Sequence, residues 1–376
     1  MHVERLRISN FRNYQEAELE FSSHFNLIFG QNAQGKTNLL EALYLICLGR
    51  SFRSARNQDL VRFDCASLLI EGSLILDNQI SRRAVVRYTR DGKKEISIDR
   101  KKIQRHSKIF GQFPIVVMAP DEFKITSGGP AERRKFVDIL LSQISVTYLS
   151  NLQDYTRVLK QRNRILQNAK SGSRLDPSAL APWTENLIKI GSKIVYDRYR
   201  FIRDFSRVLT VTYNRYSETR DELTVELKSR LPEAETDRIE ATFSRLLNER
   251  SSSEKVRGMT LVGPHRDDLD FSINGADLRS FGSRGEHKSA LISLKLAEFK
   301  YLELKKEEKP VLLLDDCYSE LDNSREQSVL NSLGGLGQIF VTTPRKEVAE
   351  YHEEFLSEHQ EVFSYEVTQG QVQRCR

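Results

Sequence analysis

Eight residues near one end of the chain have the types and spacing of an anion cradle. Gly30-Gln31-Asn32-Ala33-Gln34-Gly35-Lys36-Thr37 fits G-x-x-x-x-G-K-[ST]. Glycines let the backbone wrap so that successive N–H groups point at phosphates. The run Phe25-Asn26-Leu27-Ile28-Phe29 before it is expected to be a strand, and Leu39-Leu40-Glu41-Ala42-Leu43-Tyr44-Leu45 after it a helix. The positive end of that helix adds to the anion site. All eight residues are therefore expected to bind ATP, with the Lys36 charge on its β- and γ-phosphates and the Thr37 hydroxyl on Mg²⁺. Such a loop needs an acidic partner for the metal and a group that orders the attacking water. Val311-Leu312-Leu313-Leu314-Asp315-Asp316 offers both. Its four apolar residues read as a buried parallel strand. Its two carboxylates emerge at the C-terminal end, where open α/β sheets place their ligands. Asp315 is expected to hold Mg²⁺, directly or through water, and Asp316 to act as general base or water-orienting group.

A third segment, Phe281-Gly282-Ser283-Arg284-Gly285-Glu286-His287-Lys288, opens a long helix. A serine hydroxyl and backbone N–H groups at a helix start form an anion site. Ser283 and Glu286 also fit a plain capping box, and both readings can hold together. The Glu286 carboxylate is expected to turn away from any phosphate. His265 beside Asp267 and Asp268 suggests a metal site. No other His or Cys stands at ligand spacing, so a structural or interface role is expected. Arg50, Arg53, Arg56 and Arg62, with Lys101, Lys102, Arg105 and Lys108, are candidate phosphate contacts, set against ordinary solvated surface.

The elements that carry these residues can be read from hydrophobic periodicity. Val3 to Ile8, Leu68 to Leu76, Ala84 to Thr89 and Glu95 to Asp99 alternate as strands, with Asp91-Gly92 as a hairpin turn. Pro114 to Met118 is a further apolar run. From Ser142 to Asn168 a four-three spacing predicts one helix with a single apolar seam. Ser171-Gly172-Ser173 and Asp176-Pro177-Ser178 break it, and a second seamed helix carries Trp183 through Val208. The two make an antiparallel hairpin. It either projects as an arm, by about 40 Å, or packs on the core. Leu223 to Leu227, Gly258 to Gly263 and Leu269 to Ile273 are expected strands, and Glu235 to Arg250 and Glu286 to Lys306 helices. Gln338 to Val341 is a last strand before a mixed tail.

The 376 residues suffice for two or three domains. With 39% hydrophobic and 29% charged residues the profile is that of a soluble protein. The longest apolar stretch, Leu39 to Leu48, falls far short of the roughly 20 residues that span a bilayer. That excludes a transporter carrying its own membrane domain. Four scattered cysteines give neither a disulfide framework nor zinc spacing, and no secretion signal opens the chain, so a cytoplasmic setting is expected. A net charge of +6 is compatible with a nucleic-acid partner.

Lys36 and Asp315 stand 279 positions apart, with a helical hairpin between them. This layout resembles the split heads of the ABC superfamily in its SMC-like branch. The Ser283-to-Gly285 segment is similar to the ABC signature, with Glu286 where glutamine is commoner. Ser319-Glu320-Leu321-Asp322 is similar to the D-loop. Phe340-Val341-Thr342-Thr343 ends a strand where transporters keep a switch histidine, which argues against a permease-docking subunit. Over the whole chain the sequence resembles the RecF family of bacterial recombination-repair proteins. The segments that carry the likeness are Asn10 to Tyr14, Gly49 to Arg53, Ala119 to Glu122, Gly128 to Asp138 and, most specifically, Gly263-Pro264-His265-Arg266-Asp267-Asp268-Leu269. Phe52, Cys317 and the Arg284/Glu286 pair depart from the pattern.

The resemblance implies an α/β fold: a split ABC-type ATPase head plus a helical-hairpin arm domain. Residues 1–135 would form the N-terminal part of the head, 136–218 the arm, and 219–376 the C-terminal part. It implies that Ser283 and Gly285 bind the γ-phosphate of ATP held by a second subunit, in an ATP-dependent homodimer with weak ATPase activity. It further implies binding to DNA at gaps or single-strand/double-strand junctions, and action with RecO and RecR to load RecA, with no membrane partner. The short hairpin argues against an SMC-like structural tether.

Overall fold

The computed structural model describes residues 1–53, 57–104, 108–171, 176–216, 221–316, 333, 335–347 and 361–375. In chain order the elements are β1 (His2–Phe11), β2 (Tyr14–Glu20), β3 (Phe25–Phe29), α1 (Lys36–Leu48), β4 (Ser67–Ile75), β5 (Ser81–Thr89), β6 (Lys94–Ile98), β7 (Lys101–Lys102) and β8 (Ile115–Met118). There follow α2 (Lys124–Ser127), α3 (Pro130–Ile144), α4 (Val146–Lys170), α5 (Pro177–Tyr216), β9 (Leu223–Lys228), α6 (Thr236–Arg257), β10 (Asp268–Ile273), β11 (Ala276–Asp277) and α7 (Leu278–Phe281). The chain closes with α8 (Arg284–Lys306), β12 (Val311–Asp315), β13 (Ile339–Thr343), β14 (Val362–Thr368) and β15 (Gln371–Arg374). It divides into two compact units, one of residues 1–122 and 295–376, the other of residues 123–294.

In the first unit the described residues form two six-stranded sheets. One is the antiparallel series β2-β1-β4-β5-β6-β7. Its strands alternate in burial, as a sheet with one wet face must. The other runs β15-β14-β3-β13-β12-β8 and is parallel apart from β15. Its central strands β3, β13 and β12 and its edge strand β8 are buried on both faces, which is why they read as mostly apolar runs. Helix α1 touches strands of both sheets and is buried nearly all round, as its lack of a polar face requires. The tail expected to be mixed is in fact β14 and β15, with β14 lying parallel to β3.

The second unit packs α3 to α6 with the small antiparallel sheet β11-β10-β9. The hairpin of α4 and α5 does not project as a bare arm. Helix α5 lies along both α6 and β9, and Phe201, Phe205, Tyr148, Tyr155 and Phe243 are buried among them. The single helix expected from Ser142 to Asn168 is two. Ser145 leaves the helical conformation, and its side chain accepts from Tyr148 N, capping α4 afresh. The strand expected at Gly258 to Gly263 is absent. Gly258 is the left-handed cap of α6 at φ 70°, and the backbone beyond it bonds to side chains instead of a neighbouring strand. Thr260 N donates to Asn163 Oδ1 at 2.8 Å and Leu261 N to Glu254 Oε1 at 2.7 Å.

Candidate nucleotide site and other candidate segments

Strand β3 delivers the chain to Gly30 at φ 145°, and the loop turns through Ala33 at φ 65° and Gly35 at φ 122° before α1 starts at Lys36. A Cβ at Gly30 would strike the Val367 carbonyl of β14, so glycine is required on steric as well as torsional grounds. Lys36 folds back across the loop, its Nζ donating to Gly30 O at 2.6 Å and Gln31 O at 2.9 Å. Burial lowers its pKa, and the nearby Asp316 and Asp315 carboxylates oppose that shift.

Parallel pairing of β12 with β13, and of β13 with β3, brings the acidic pair alongside the loop. Thr37 Oγ1 donates to Asp315 Oδ1 at 2.9 Å across 278 positions of sequence. Thr342, at the end of β13, donates to the same oxygen at 2.8 Å and accepts from Asp316 N at 2.9 Å. Burial raises the Asp315 pKa, against the two hydroxyl bonds that favour its ionised form. Asp316 takes a left-handed backbone at φ 50°, which costs on the order of 1 kcal/mol for a residue with a Cβ. Its N–H bond to Thr342 offsets that cost. Thus Gly30 to Thr37, Asp315 and Asp316 converge, and Thr342 joins them with a role that its place near a switch position did not foretell.

The donor set offered to a cation is one hydroxyl and one carboxylate, hard oxygen ligands of the kind Mg²⁺ takes beside phosphates and water. Among the described residues no group of three or more His, Cys, Asp or Glu side chains could hold a metal by itself. Burial acts against the charge of both Lys36 and Asp315. A magnesium–triphosphate would supply an anion to the one and a cation to the other, so the residues present fit it.

In the second unit, Ser283 and Glu286 form a complete capping box at the start of α8. Ser283 N donates to Glu286 Oε2 at 2.7 Å and Glu286 N to Ser283 Oγ at 3.2 Å. The carboxylate is thereby turned back on the helix end, as expected, and this bond lowers its pKa. Ser283 and Arg284 are exposed and Gly285 half-buried, close in sequence to the largely exposed Phe281.

The Gly263-to-Leu269 segment is held by buried arginines. Arg198 of α5 donates to Pro264 O at 2.6 Å and pairs with Asp267 and Asp138, each at 2.9 Å. Arg133 of α3 grips Asp268 through both carboxylate oxygens at 2.7 and 2.8 Å. His265 uses both ring nitrogens: Nδ1 lies 2.7 Å from Tyr155 OH and Nε2 3.1 Å from Thr260 O. A carbonyl can only accept, so Nε2 carries the proton and Nδ1 accepts from the tyrosine. Burial pushes its pKa down to about 4. The histidine is a packed structural group, as its isolation in sequence suggested.

The candidate phosphate contacts separate into several kinds. Lys102 pairs with Glu95 at 2.6 Å on the exposed sheet face. Arg62 donates to Asn13 O at 2.6 Å and Arg53 to Asn38 Oδ1 at 3.0 Å. Arg50, Lys101 and Lys108 are exposed. Arg56, Arg105, Cys317 and the D-loop-like Ser319 to Asp322 lie outside the described residues. Sequence reasoning missed the groups that brace the loop from outside, namely Asn13, Tyr14, Gln369 and Gly370. Asn13 Nδ2 and Gly370 N both donate to Gln34 O, at 2.7 and 3.0 Å. The only signals were the Asn13-Tyr14 pair at a strand exit and a Gln-Gly turn near the end of the chain.

Comparison with known proteins gives these features a context. The model of the RecF/RecN/SMC N terminal domain matches residues 2–364. The DNA replication and repair protein RecF of Lachnoclostridium phytofermentans is 35% identical over 376 residues, covering 100% of both chains. A solved structure of the recombination mediator protein RecF with ATP, in the RecFOR pathway, is similar with a TM-score of 0.90 at 30% identity, over 100% of this chain and 98% of that one. The Smc head domain of Pyrococcus furiosus, with an extended coiled coil and bound to the C-terminal domain of ScpA, gives a TM-score of 0.55 at 16% identity over 99% and 95%. That last likeness is one of fold alone.

Proposed function

The chain belongs to the RecF family of DNA replication and repair proteins, with the α/β fold of the ABC- and SMC-type ATPase heads, and from that premise we propose that it is an ATP-dependent DNA-binding switch. ATP held by Gly30 to Thr37 joins two copies of the chain, each presenting Ser283 and Gly285 to the nucleotide of the other. The paired form grips DNA at gaps or single-strand/double-strand junctions. Slow hydrolysis separates it. RecO and RecR are its proposed partners, with RecA loading as the outcome.

The observation that carries this reading is the bond between Thr37 Oγ1 and Asp315 Oδ1. It unites the phosphate loop with a carboxylate from the far end of the chain. Lys36, now bonded to its own loop carbonyls, would exchange them for phosphate oxygens. Mg²⁺, held by Thr37 and Asp315, would neutralise charge on the phosphates. Asp316 would orient the attacking water and accept its proton. Pairing of two copies also fits the signature segment, whose Ser283 and Arg284 are exposed.

A gel shift with gapped duplex, with and without ATP and Mg²⁺, tests the reading. Wild-type protein should bind the gapped DNA more tightly with ATP, and Lys36→Ala should not respond to nucleotide. Equal binding by both proteins with and without ATP would refute the switch.

A further inference from the structure

The phosphate loop of the first unit is held from outside by a second layer of groups that come from both ends of the chain. The β14–β15 hairpin turns at Gln369 and Gly370, both with positive φ, at 51° and 76°. Such torsions belong to a two-residue type I′ turn. That turn directs its two N–H groups onto one loop residue. Gln369 N donates to Gln34 Oε1 at 2.6 Å, and Gly370 N to Gln34 O at 3.0 Å. Asn13 Nδ2 donates to the same carbonyl at 2.7 Å, so two donors share its two lone pairs. Tyr14, fully buried, donates its hydroxyl to Gly35 O at 2.9 Å. Asn13 is itself fixed by Asn38 Nδ2, which donates to its Oδ1 at 2.8 Å.

In a planar trans peptide the carbonyl and the next N–H point in opposite directions. Pinning Gln34 O outward therefore aims Gly35 N–H the other way, and pinning Gly35 O aims Lys36 N–H. These two N–H groups stand at the end of the loop and the start of α1, where a cradle for phosphate needs its donors. We propose that Asn13, Tyr14 and the Gln369–Gly370 turn are positioning residues of the nucleotide site, and that this turn, rather than the strands of the hairpin that carry it, is part of the ATP-binding machinery. They touch no phosphate. They hold two successive peptide planes in the binding orientation before ATP arrives, so that little ordering cost remains at binding. The steric fit agrees: a Cβ at Gly370 would come within 2.5 Å of Asn13 O, and one at Gly35 within 2.6 Å of Asn13 Nδ2.

This inference rests on the reading of Gly30 to Thr37 as the ATP site, and the experiment separates the two. Binding of a fluorescent ATP analogue and steady-state hydrolysis with gapped DNA are measured on the full chain, well below its melting temperature. The variants are Tyr14→Phe, which is isosteric, Gly370→Ala, Lys36→Ala and, on the far part of the same hairpin, the exposed Gln373→Ala. Tyr14→Phe should raise Kd roughly threefold to tenfold, the usual worth of one hydrogen bond. Gly370→Ala should raise it by about tenfold or more, since it displaces the turn from Gln34. KM should rise in step, with kcat within about twofold, because the oriented loop serves ground state and transition state alike. A merely structural role would instead lower kcat through lost active protein and leave KM in place. Wild-type Kd and KM for both Tyr14→Phe and Gly370→Ala, while Lys36→Ala loses ATP, would overturn the inference alone. Undiminished ATP binding by Lys36→Ala would overturn the site reading beneath it. An equal rise in KM for Gln373→Ala would show a general effect of hairpin damage and also overturn it.

Discussion

His265 gives the second unit a calculable sensitivity to acid. Its ring sits half-buried between α4 and the loop after α6, accepting from Tyr155 OH and donating to Thr260 O. The bond from Tyr155 requires an unprotonated Nδ1, and burial lowers the ring's pKa from 6.5 to about 4 although the bond to Thr260 O favours the charged form. A base whose folded pKa lies below its unfolded value contributes its full stability above the unfolded pKa. That contribution is lost as pH falls through the window from 6.5 towards 4, because the unfolded state takes up the proton first. With those two values the loss is about 2 kcal/mol at pH 5 and about 3 kcal/mol at pH 4. Asp267, whose carboxyl is raised by burial, works in the opposite sense at lower pH. The comparison must therefore be with a variant that shares it. His265→Gln removes the titrating ring and keeps a polar side chain with an acceptor and a donor. Trp183, the single tryptophan, lies in α5 of the same unit, so its fluorescence during urea denaturation follows the relevant transition. The stability of wild type relative to His265→Gln should fall by about 2 kcal/mol between pH 7.5 and 5. Parallel stability–pH curves for the two proteins would show that protonation of His265 costs the fold nothing, and the account of its burial would be wrong.

Three further outcomes follow from the proposed switch. Asp316→Asn keeps Asp315 and should retain ATP while slowing hydrolysis by on the order of 10² or more, so that dimer accumulates in sedimentation with ATP and Mg²⁺. Turnover at the wild-type rate would remove Asp316 from the water-ordering role. Ser283→Arg should bind ATP normally yet remain monomeric under the same conditions, because the phosphate loop is untouched while bulk is placed at the shared nucleotide. Normal dimerisation of that variant would reduce the Ser283 segment to a helix cap. DNA affinity should fall steeply between roughly 50 and 200 mM salt, with little sequence preference, as phosphate contacts release counterions. A flat response across that range would exclude a phosphate-dominated interface.

The parts of the nucleotide site that sequence made legible are those whose cause is local. Strand, loop and helix from Phe25 to Leu48 lie within one short stretch, and glycine spacing is itself the backbone requirement. Four apolar residues before Asp315 could only be a strand covered on both faces, and β12 is that strand. Local pattern misled where the backbone found partners that pattern does not record. Ile144 stands four residues before Tyr148 and so continues the helical seam across Ser145, yet the serine caps a new helix there. Gly258 to Gly263 reads as a strand, but the Asn163 and Glu254 side chains take the N–H groups of Thr260 and Leu261. The loop's outer bracing was illegible for a deeper reason. It is made largely by main-chain carbonyls and turn amides, Gln34 with Gly370 and Gly35 with Tyr14, and a backbone group has the same identity at every residue. Only the side chains that happen to meet it, or the glycines that let it approach, leave a trace. Gly30 shows how faint that trace is, since the motif already explains the glycine by its torsion. Its second cause, the Val367 carbonyl passing against it, becomes visible only when β14 is seen lying parallel to β3.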